Sequence, residues 1–240
     1  MIELKTAILH TSIHPISMQI LLPYITVALT GMITIFYHSV LNKRFGDAKG
    51  TWIYFAVFFV LLAAVPILLI FLIENDPRQV LIDLGFAVGN HRIGLLLVLA
   101  FVPIALLVGR LVSRTPEMIA WYPFSKQVCA RDGAFALYEA GYLLLYYTTW
   151  EFLYRGILFF PLLAAFGYIP AMAITTLLST LHHIGHPKTE IGGAVLGGVI
   201  FSAVALVTRS ILYAIVIHAM IGVVNDTFIY LRTYRKPPGG

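Results

Sequence analysis

The sequence predicts an all-α protein that crosses a membrane several times. Of its 240 residues, 60% are hydrophobic and 11% are charged, and the mean hydropathy is +0.89. A water-soluble domain cannot bury so large an apolar fraction. The apolar residues also gather in runs that approach or exceed the ~20 residues that a helix needs to cross a bilayer core. These observations predict a polytopic transmembrane helix bundle.

Five runs are long enough to cross the bilayer, and two shorter runs are expected to cross as well. The five long runs cover residues 18–37, 52–73, 94–112, 141–165 and 210–231. The two shorter runs cover 170–186 and 191–207, which Gly, Ser and His interrupt without adding formal charge. All of them are apolar on every side, unlike the ~10-residue alternating strands of a membrane barrel. We therefore expect about seven helical spans.

The polar connections, the N-terminal region and the cysteine content lead to three further predictions. The polar connections 74–93 and 113–133 are long enough for short interfacial helices, and the aromatic residues at 121–124 are typical of the headgroup level. No small-residue cleavage site follows the first span, so we expect no removable signal peptide. Cys129 is the single cysteine, which excludes an internal disulfide and a multi-cysteine metal cluster.

The basic residues predict the orientation of the helices. The net charge of +5 is spread among the connections and forms no nucleic-acid-binding stripe. With seven spans, the side of the N-terminus holds Lys5, Arg78, Arg92 and Arg209. The other side holds Lys43, Arg44, Lys49, Arg110, Arg114, Lys126, Arg131, Lys188, Arg232, Arg235 and Lys236. Because cytoplasmic loops are enriched in Lys and Arg, the N-terminus is predicted outside and the C-terminus in the cytoplasm.

Polar residues inside the spans indicate where function lies, because an ionisable group at membrane depth costs a few kcal/mol and is usually turned inward. The first three spans have almost none, which is typical of a scaffold. Those of the second half are Glu139, Glu151, Arg155, His182, His183, His218, Asn225 and Asp226. The second half of the chain is therefore the candidate functional region.

Glu151 and Arg155 are four residues apart, so they share one helical face. One interpretation is an internal ion pair that makes each charge tolerable in the membrane. The other is that Arg155 orients a carboxylate that acts on water. Partners on other helices decide between the two.

A cluster of histidines follows, in the segment Leu181–Glu190, where Pro187 stops the helix. His182 and His186 have a spacing that could suit a metal, but His183 stands where the zinc-protease pattern requires a Glu. His183 as a proton-handling partner of Glu151 is the favoured interpretation, because a neutral imidazole is tolerable in a membrane and can hold a water.

The last span carries His218, with Gly222 and Asn225 on the same face. A single buried His is more often a helix–helix hydrogen bonder than a catalytic group. Three spans that each contribute an inward polar cluster are harder to explain in that way. The glycine-rich run over 192–198 predicts close helix packing near this cluster.

These motifs together resemble the CPBP intramembrane protease family, which groups CAAX prenyl-protein endopeptidases with bacteriocin-processing and abortive-infection proteins. The similarity covers roughly residues 140–230, through Trp-Glu-Phe-Leu-Tyr-Arg-Gly, His-Ile-Gly-His-Pro-Lys-Thr-Glu and His-Ala-Met-Ile-Gly-Val-Val-Asn-Asp. The resemblance implies a glutamate-dependent endopeptidase. Glu151 and His183 would activate water, Arg155 would orient the carboxylate and His218 would stabilise the oxyanion.

The sequence departs from the family pattern at two positions. The commoner first motif has paired glutamates, and Trp150 replaces the first of them. An Asn often follows the last His by four residues, and here that residue is Gly222. Asn225, one turn further on, could supply the hydrogen-bond donor instead. His182, on a different helix, could also support the site.

We accordingly expect a membrane scaffold over residues 1–133, a CPBP-like catalytic bundle over 134–232 and a disordered tail over 233–240. The expected function is hydrolysis of a peptide bond in a membrane-associated protein or peptide, without a cofactor, metal or nucleic acid, in the cell membrane. The alternative is an inactive scaffold of the same fold that regulates a partner protein. A transporter is disfavoured because the two halves of the chain show no corresponding broken helices. Oligomeric state and substrate identity are left open.

Overall fold

The structure, a computed structural model, describes residues 40–235 and consists of helices joined by short connections. The predicted span 18–37 lies outside the described residues, and so does most of the predicted tail. Residues 40–45 are helical, Gln127–Ala130 form a short 3-10 helix, and eight further helices complete the described structure. They are α1 (Asp47–Ile73), α2 (Pro77–Asp83), α3 (His91–Val112), α4 (Pro116–Trp121), α5 (Asp132–Phe166), α6 (Tyr168–Leu181), α7 (Lys188–Thr208) and α8 (Leu212–Tyr234).

The predicted fold class is confirmed. Five of the described helices, α1, α3, α5, α7 and α8, are long and apolar enough to cross a membrane, and no strand occurs between residues 40 and 235. The crossing predicted over 170–186 is shorter than expected, because α6 has only 14 residues. At ~1.5 Å per residue it covers about 21 Å, less than the hydrocarbon core of a bilayer.

Short helices lie in both connections where they were expected. Asp76 and Thr115 each accept a hydrogen bond from a backbone N–H in the first turn of α2 and α4, and a proline opens each of these helices. Such side-chain caps satisfy N–H groups that have no partner within the helix. Asn90 caps α3 in the same way through the N–H of Ile93.

The core of the bundle is aromatic and lies between α1 and α5. The rings of Phe55 and Tyr142 stack with centroids 5.2 Å apart, and those of Phe58 and Tyr146 with centroids 4.7 Å apart. Of the helices long enough to cross, α5 is the most deeply buried. It is therefore the central helix against which the others pack.

The outside of the bundle is suited to lipid. Large apolar side chains remain exposed along the outer helices, among them Leu72 at 71%, Leu96 at 67% and Leu99 at 66%. In water a surface of this kind would be an aggregation hazard, whereas in a bilayer it faces hydrocarbon. The chain is an integral, multi-pass membrane protein.

The connections gather at the two ends of the bundle. At one end, the N–H of Asn90 donates to the carbonyl of Thr208, and the N–H of Ile211 donates to the carbonyl of Gly85. At the opposite end, Arg232 donates to the carbonyl of Ser113, and Ser125 donates to the Asp47 carboxylate. The segment between α6 and α7 lies towards this second end, which holds most of the basic residues.

Candidate active site

The central helix α5 supplies a buried ion pair. Glu151 Oε2 lies 3.2 Å from Arg155 Nε, and the two side chains are 0% and 1% exposed. The guanidinium also reaches α7, where Nη2 lies 3.5 Å from the carbonyl oxygens of Gly197 and Gly198. Because these contacts are internal, the charge of Arg155 is retained at membrane depth without lipid exposure.

The glycines of α7 allow this approach. A Cβ at Gly198 would come within 2.6 Å of the Thr176 side chain, so α6 and α7 touch at this residue. The close packing expected for the glycine-rich run over 192–198 is therefore present next to the ion pair.

The other oxygen of Glu151 binds the imidazole of the last helix. His218 Nδ1 lies 2.6 Å from Glu151 Oε1, and its ring packs against Phe201 and Tyr147 with centroids 4.9 and 4.8 Å away. Since a carboxylate only accepts hydrogen bonds, Nδ1 of His218 carries the proton. Nε2 has no hydrogen-bond partner among the described residues.

A second polar cluster connects the α6–α7 turn to the connection before α5. Glu190 Oε1 lies 2.7 Å from the Tyr122 hydroxyl, 2.9 Å from His186 Nδ1 and 3.7 Å from His183 Nε2. His183 Nδ1 lies 2.7 Å from the carbonyl oxygen of Ser179. Gly185, at φ +96°, makes the turn that brings these histidines together.

Both clusters contribute side chains to the lining of one cavity of about 330 Å³. Its walls are largely apolar and come mainly from α3, α5, α7 and α8. The polar side chains that line it are Tyr122, Tyr147, Arg155, Ser179, His183, Thr189, Glu190, His218, Asn225 and Asp226. Glu151 is not among the described residues that line it. The volume lies in the range of small-molecule pockets.

The structure thus brings three of the four predicted catalytic residues, Arg155, His183 and His218, to one cavity, but it pairs them differently. Glu151 binds His218 and Arg155, and within residues 40–235 it makes no hydrogen bond or ion pair with His183. His183 faces Glu190 instead. The predicted sharing of one water by Glu151 and His183 does not match this geometry.

The two predicted supporting residues also have partners. His182 is 2% exposed and its Nδ1 pairs with the Tyr154 hydroxyl, away from the cavity lining. Asn225 lines the cavity and donates to the Asp226 carboxylate over 3.0 Å. The described part of the chain has no group of three or more His, Cys, Asp or Glu side chains placed to hold a metal ion.

Trp150, the first of the two departures from the motif of the resembled family, lies inside the bundle. Its ring is 2% exposed and lies 4.9 Å, centroid to centroid, from the rings of both His182 and His183. The indole therefore forms the wall beside His183, and the carboxylate nearest to this imidazole comes from Glu190. Glu190 is not among the predicted site residues, although it lies four residues after His186.

The second departure, Gly222, also has a structural reason. A Cβ at this position would overlap the Tyr147 hydroxyl, which occupies the space of a side chain. We expect Gly222→Ala to cost about 1–3 kcal/mol through overpacking and to lower the Tm of the purified protein. Gly192→Ala is the matched control, because a Cβ there meets nothing within 4 Å and Ala favours the helix. An unchanged Tm for Gly222→Ala would contradict this packing.

Comparison with known proteins supports the resemblance that the motifs predicted. Residues 134–224 match the family model described as Rce1-like, type II CAAX prenyl endopeptidase Rce1-like. This range contains Trp150, Glu151, Arg155, His183, Glu190 and His218. Neither the search of curated proteins nor the search of solved structures gives a match. Residues 134–224 of this membrane protein are therefore similar to the Rce1-like type II CAAX prenyl endopeptidases.

Proposed function

We propose that the protein is an intramembrane, glutamate-dependent endopeptidase that hydrolyses a peptide bond in a membrane-associated protein or peptide. The observation that carries this proposal is the arrangement of His183 and His218. They come from different parts of the chain, each ring is fixed through Nδ1, and both rings border one cavity. Peptide hydrolysis needs an activated water, an oxyanion stabiliser and a proton for the leaving amine, and such groups can supply all three.

His218 is assigned to the oxyanion. In its protonated form, Nε2 carries a hydrogen, and Glu151 at 2.6 Å stabilises the positive ring. Arg155 in turn fixes Glu151 from the other oxygen. Glu151 and Arg155 are positioning residues in this mechanism, because they act on the reaction through His218.

His183 is assigned to the water. The carbonyl oxygen of Ser179 only accepts, so Nδ1 of His183 carries the proton and Nε2 of the neutral ring is an acceptor. Burial lowers the pKa of His183 to about 4, although the Glu190 charge acts in the opposite direction. His183 is therefore neutral at physiological pH and able to accept a hydrogen bond from water.

The substrate proposed is a lipid-anchored peptide, approached from the cytoplasm. The matched family is described as acting on CAAX prenyl proteins. Apolar side chains of α3, such as Phe101, Ile104 and Val108, line one wall of the cavity and suit a hydrocarbon chain. The cavity lies towards the end of the bundle that holds most of the basic residues. The positive-inside rule predicts that this end faces the cytoplasm and that the N-terminus of the protein lies outside.

The proposal is tested with purified protein in proteoliposomes. The probe is a farnesylated peptide that ends in a CAAX sequence, with a fluorophore and a quencher on the two sides of the expected bond. We expect a time-dependent rise in fluorescence and release of the C-terminal fragment, identified by mass spectrometry. The same peptide without farnesyl is the control for recognition of the lipid.

The inward position of Trp150 favours a second candidate, a non-catalytic scaffold of the same family. In that case the cavity would bind part of a partner protein and no bond would be cleaved. Correctly folded protein that binds the farnesylated peptide but releases no fragment would support the scaffold and contradict the endopeptidase.

A further inference from the structure

Glu190 is held as a charged carboxylate by two hydrogen-bond donors. The Tyr122 hydroxyl and His186 Nδ1 both donate to Oε1, over 2.7 and 2.9 Å. Burial, reinforced by the charge of Glu190, raises the pKa of Tyr122 well above its usual value, so the phenol keeps its proton. Two donors on one oxygen stabilise the ionised form of a carboxyl group.

The second oxygen of Glu190 is free to act. Oε2 is buried and has no hydrogen-bond partner within the described part of the chain. A buried charged oxygen without a partner is costly, and a bound water removes that cost. Glu190 also lines the cavity, so its carboxylate group borders the space from which an attacking water approaches.

His183 supplies a second acceptor beside the Glu190 carboxylate. Its Nε2 lies 3.7 Å from Glu190 Oε1, which is too far for a direct hydrogen bond. Two acceptors that face each other across such a gap are joined when one water donates a hydrogen to each. The water then presents its oxygen lone pair to the cavity.

From this geometry we infer that Glu190, paired with His183, is the catalytic carboxylate that activates the attacking water. The inference rests on the proposed endopeptidase function and assigns a residue that the motif comparison does not. The Trp150 ring covers one side of the His183 imidazole, and Glu190 reaches the same imidazole from the start of α7.

The reaction balances with the groups present. Glu190 takes a proton from the water, and the oxygen of the water forms a bond to the carbonyl carbon of the scissile peptide. The resulting oxyanion accepts a hydrogen bond from His218 Nε2. The C–N bond then breaks, and the proton held by Glu190 passes to the leaving nitrogen. A carboxylic acid and an amine result, and Glu190 returns to its starting form.

Glu151 is less suited to this role. Its side chain is 0% exposed, and its two oxygens face Arg155 and His218. Glu151 Oε2, like Glu190 Oε2, makes no hydrogen bond among the described residues, but it lies against the Arg155 guanidinium. Glu190 borders the cavity, and Glu151 is not among the described residues that line it.

The first test compares Glu190→Gln with the wild type on the farnesylated peptide in proteoliposomes. We expect kcat to fall by about 10²–10⁴-fold, the usual contribution of a general base. Binding of the peptide, measured by fluorescence anisotropy, should be unchanged. Glu117→Gln, an exposed site on α4, is the matched control and should keep wild-type turnover.

The outcomes separate this inference from the proposed function. Cleavage by the wild type with full turnover by Glu190→Gln and loss of turnover by Glu151→Gln overturns the inference and leaves the endopeptidase standing. A wild type that binds but does not cleave the peptide overturns both.

A second test does not depend on how well Glu190→Gln folds. Tyr122→Phe removes a donor that stabilises the charged Glu190 and leaves the carboxylate in place. We expect the acid limb of the kcat/KM profile to move to higher pH, and an unmoved limb would contradict the inference. The titratable groups in electrostatic contact with Glu190 are Tyr122, Tyr146, Tyr147, His183, His186 and Asp226.

Discussion

Arg155→Met should destabilise the protein by about 3–5 kcal/mol, because it leaves the Glu151 carboxylate buried without its cation. The pair is 3.2 Å apart and almost completely inaccessible, so no solvent reaches the remaining charge. Thermal unfolding of the purified protein in detergent measures the effect as a large drop in Tm. Arg114→Met, on an exposed arginine, is the control and should leave Tm nearly unchanged.

The double variant Glu151→Gln/Arg155→Met separates charge from packing. With both charges removed, most of the lost Tm should return, since the cost of Arg155→Met is the uncompensated carboxylate. Peptide cleavage should stay impaired in the double variant, because His218 no longer faces a charged acceptor. A Tm for Arg155→Met equal to that of the wild type would show that the ion pair is not buried as described.

His218→Gln should reduce kcat by about 10²–10³-fold, the usual effect of removing an oxyanion donor. Gln is polar and of similar length, but it cannot take up a proton, so Glu151 has no cation to stabilise on α8. The assay is cleavage of the farnesylated peptide in proteoliposomes. KM should change little, because the contact is made to the oxyanion and not to the bound substrate.

His91→Gln is the control for this variant, since His91 is exposed at the start of α3. It should retain wild-type kcat. Turnover by His218→Gln that matches this control would remove His218 from the reaction.

The sequence was sufficient to predict the helical class and most of the helix positions, because long apolar runs have few alternatives in a membrane. The lengths of two helices next to the site, α5 and α6, differ from those predicted. The central helix α5 begins at Asp132, nine residues before the predicted span, and carries Glu139 into the interior with 8% exposure. A hydropathy pattern treats such acidic residues as a boundary, whereas packing in the bundle covers them.

The residues of the site were predicted better than their partners. Glu151, His183 and His218 were recognised because ionisable groups are rare in membrane helices. Which carboxylate meets which imidazole depends on the turn at Gly185 and on the approach of Tyr122 from the connection before α5. Such contacts join residues that are far apart in the sequence, so the spacing of apolar and polar residues does not predict them. Glu190 was missed because it follows Pro187 and resembles an ordinary polar residue at the start of a helix.

Two imidazoles that border one cavity and act on water without a metal are central to the proposed reaction. The most direct measurement is single-turnover cleavage of the farnesylated peptide by the wild type and by His183→Gln/His218→Gln, each in excess chelator. We expect the wild-type rate to be unaffected by the chelator and the double variant to remain at the uncatalysed rate. Cleavage by the double variant at the wild-type rate, or a wild-type rate that the chelator abolishes and zinc restores, would contradict the account.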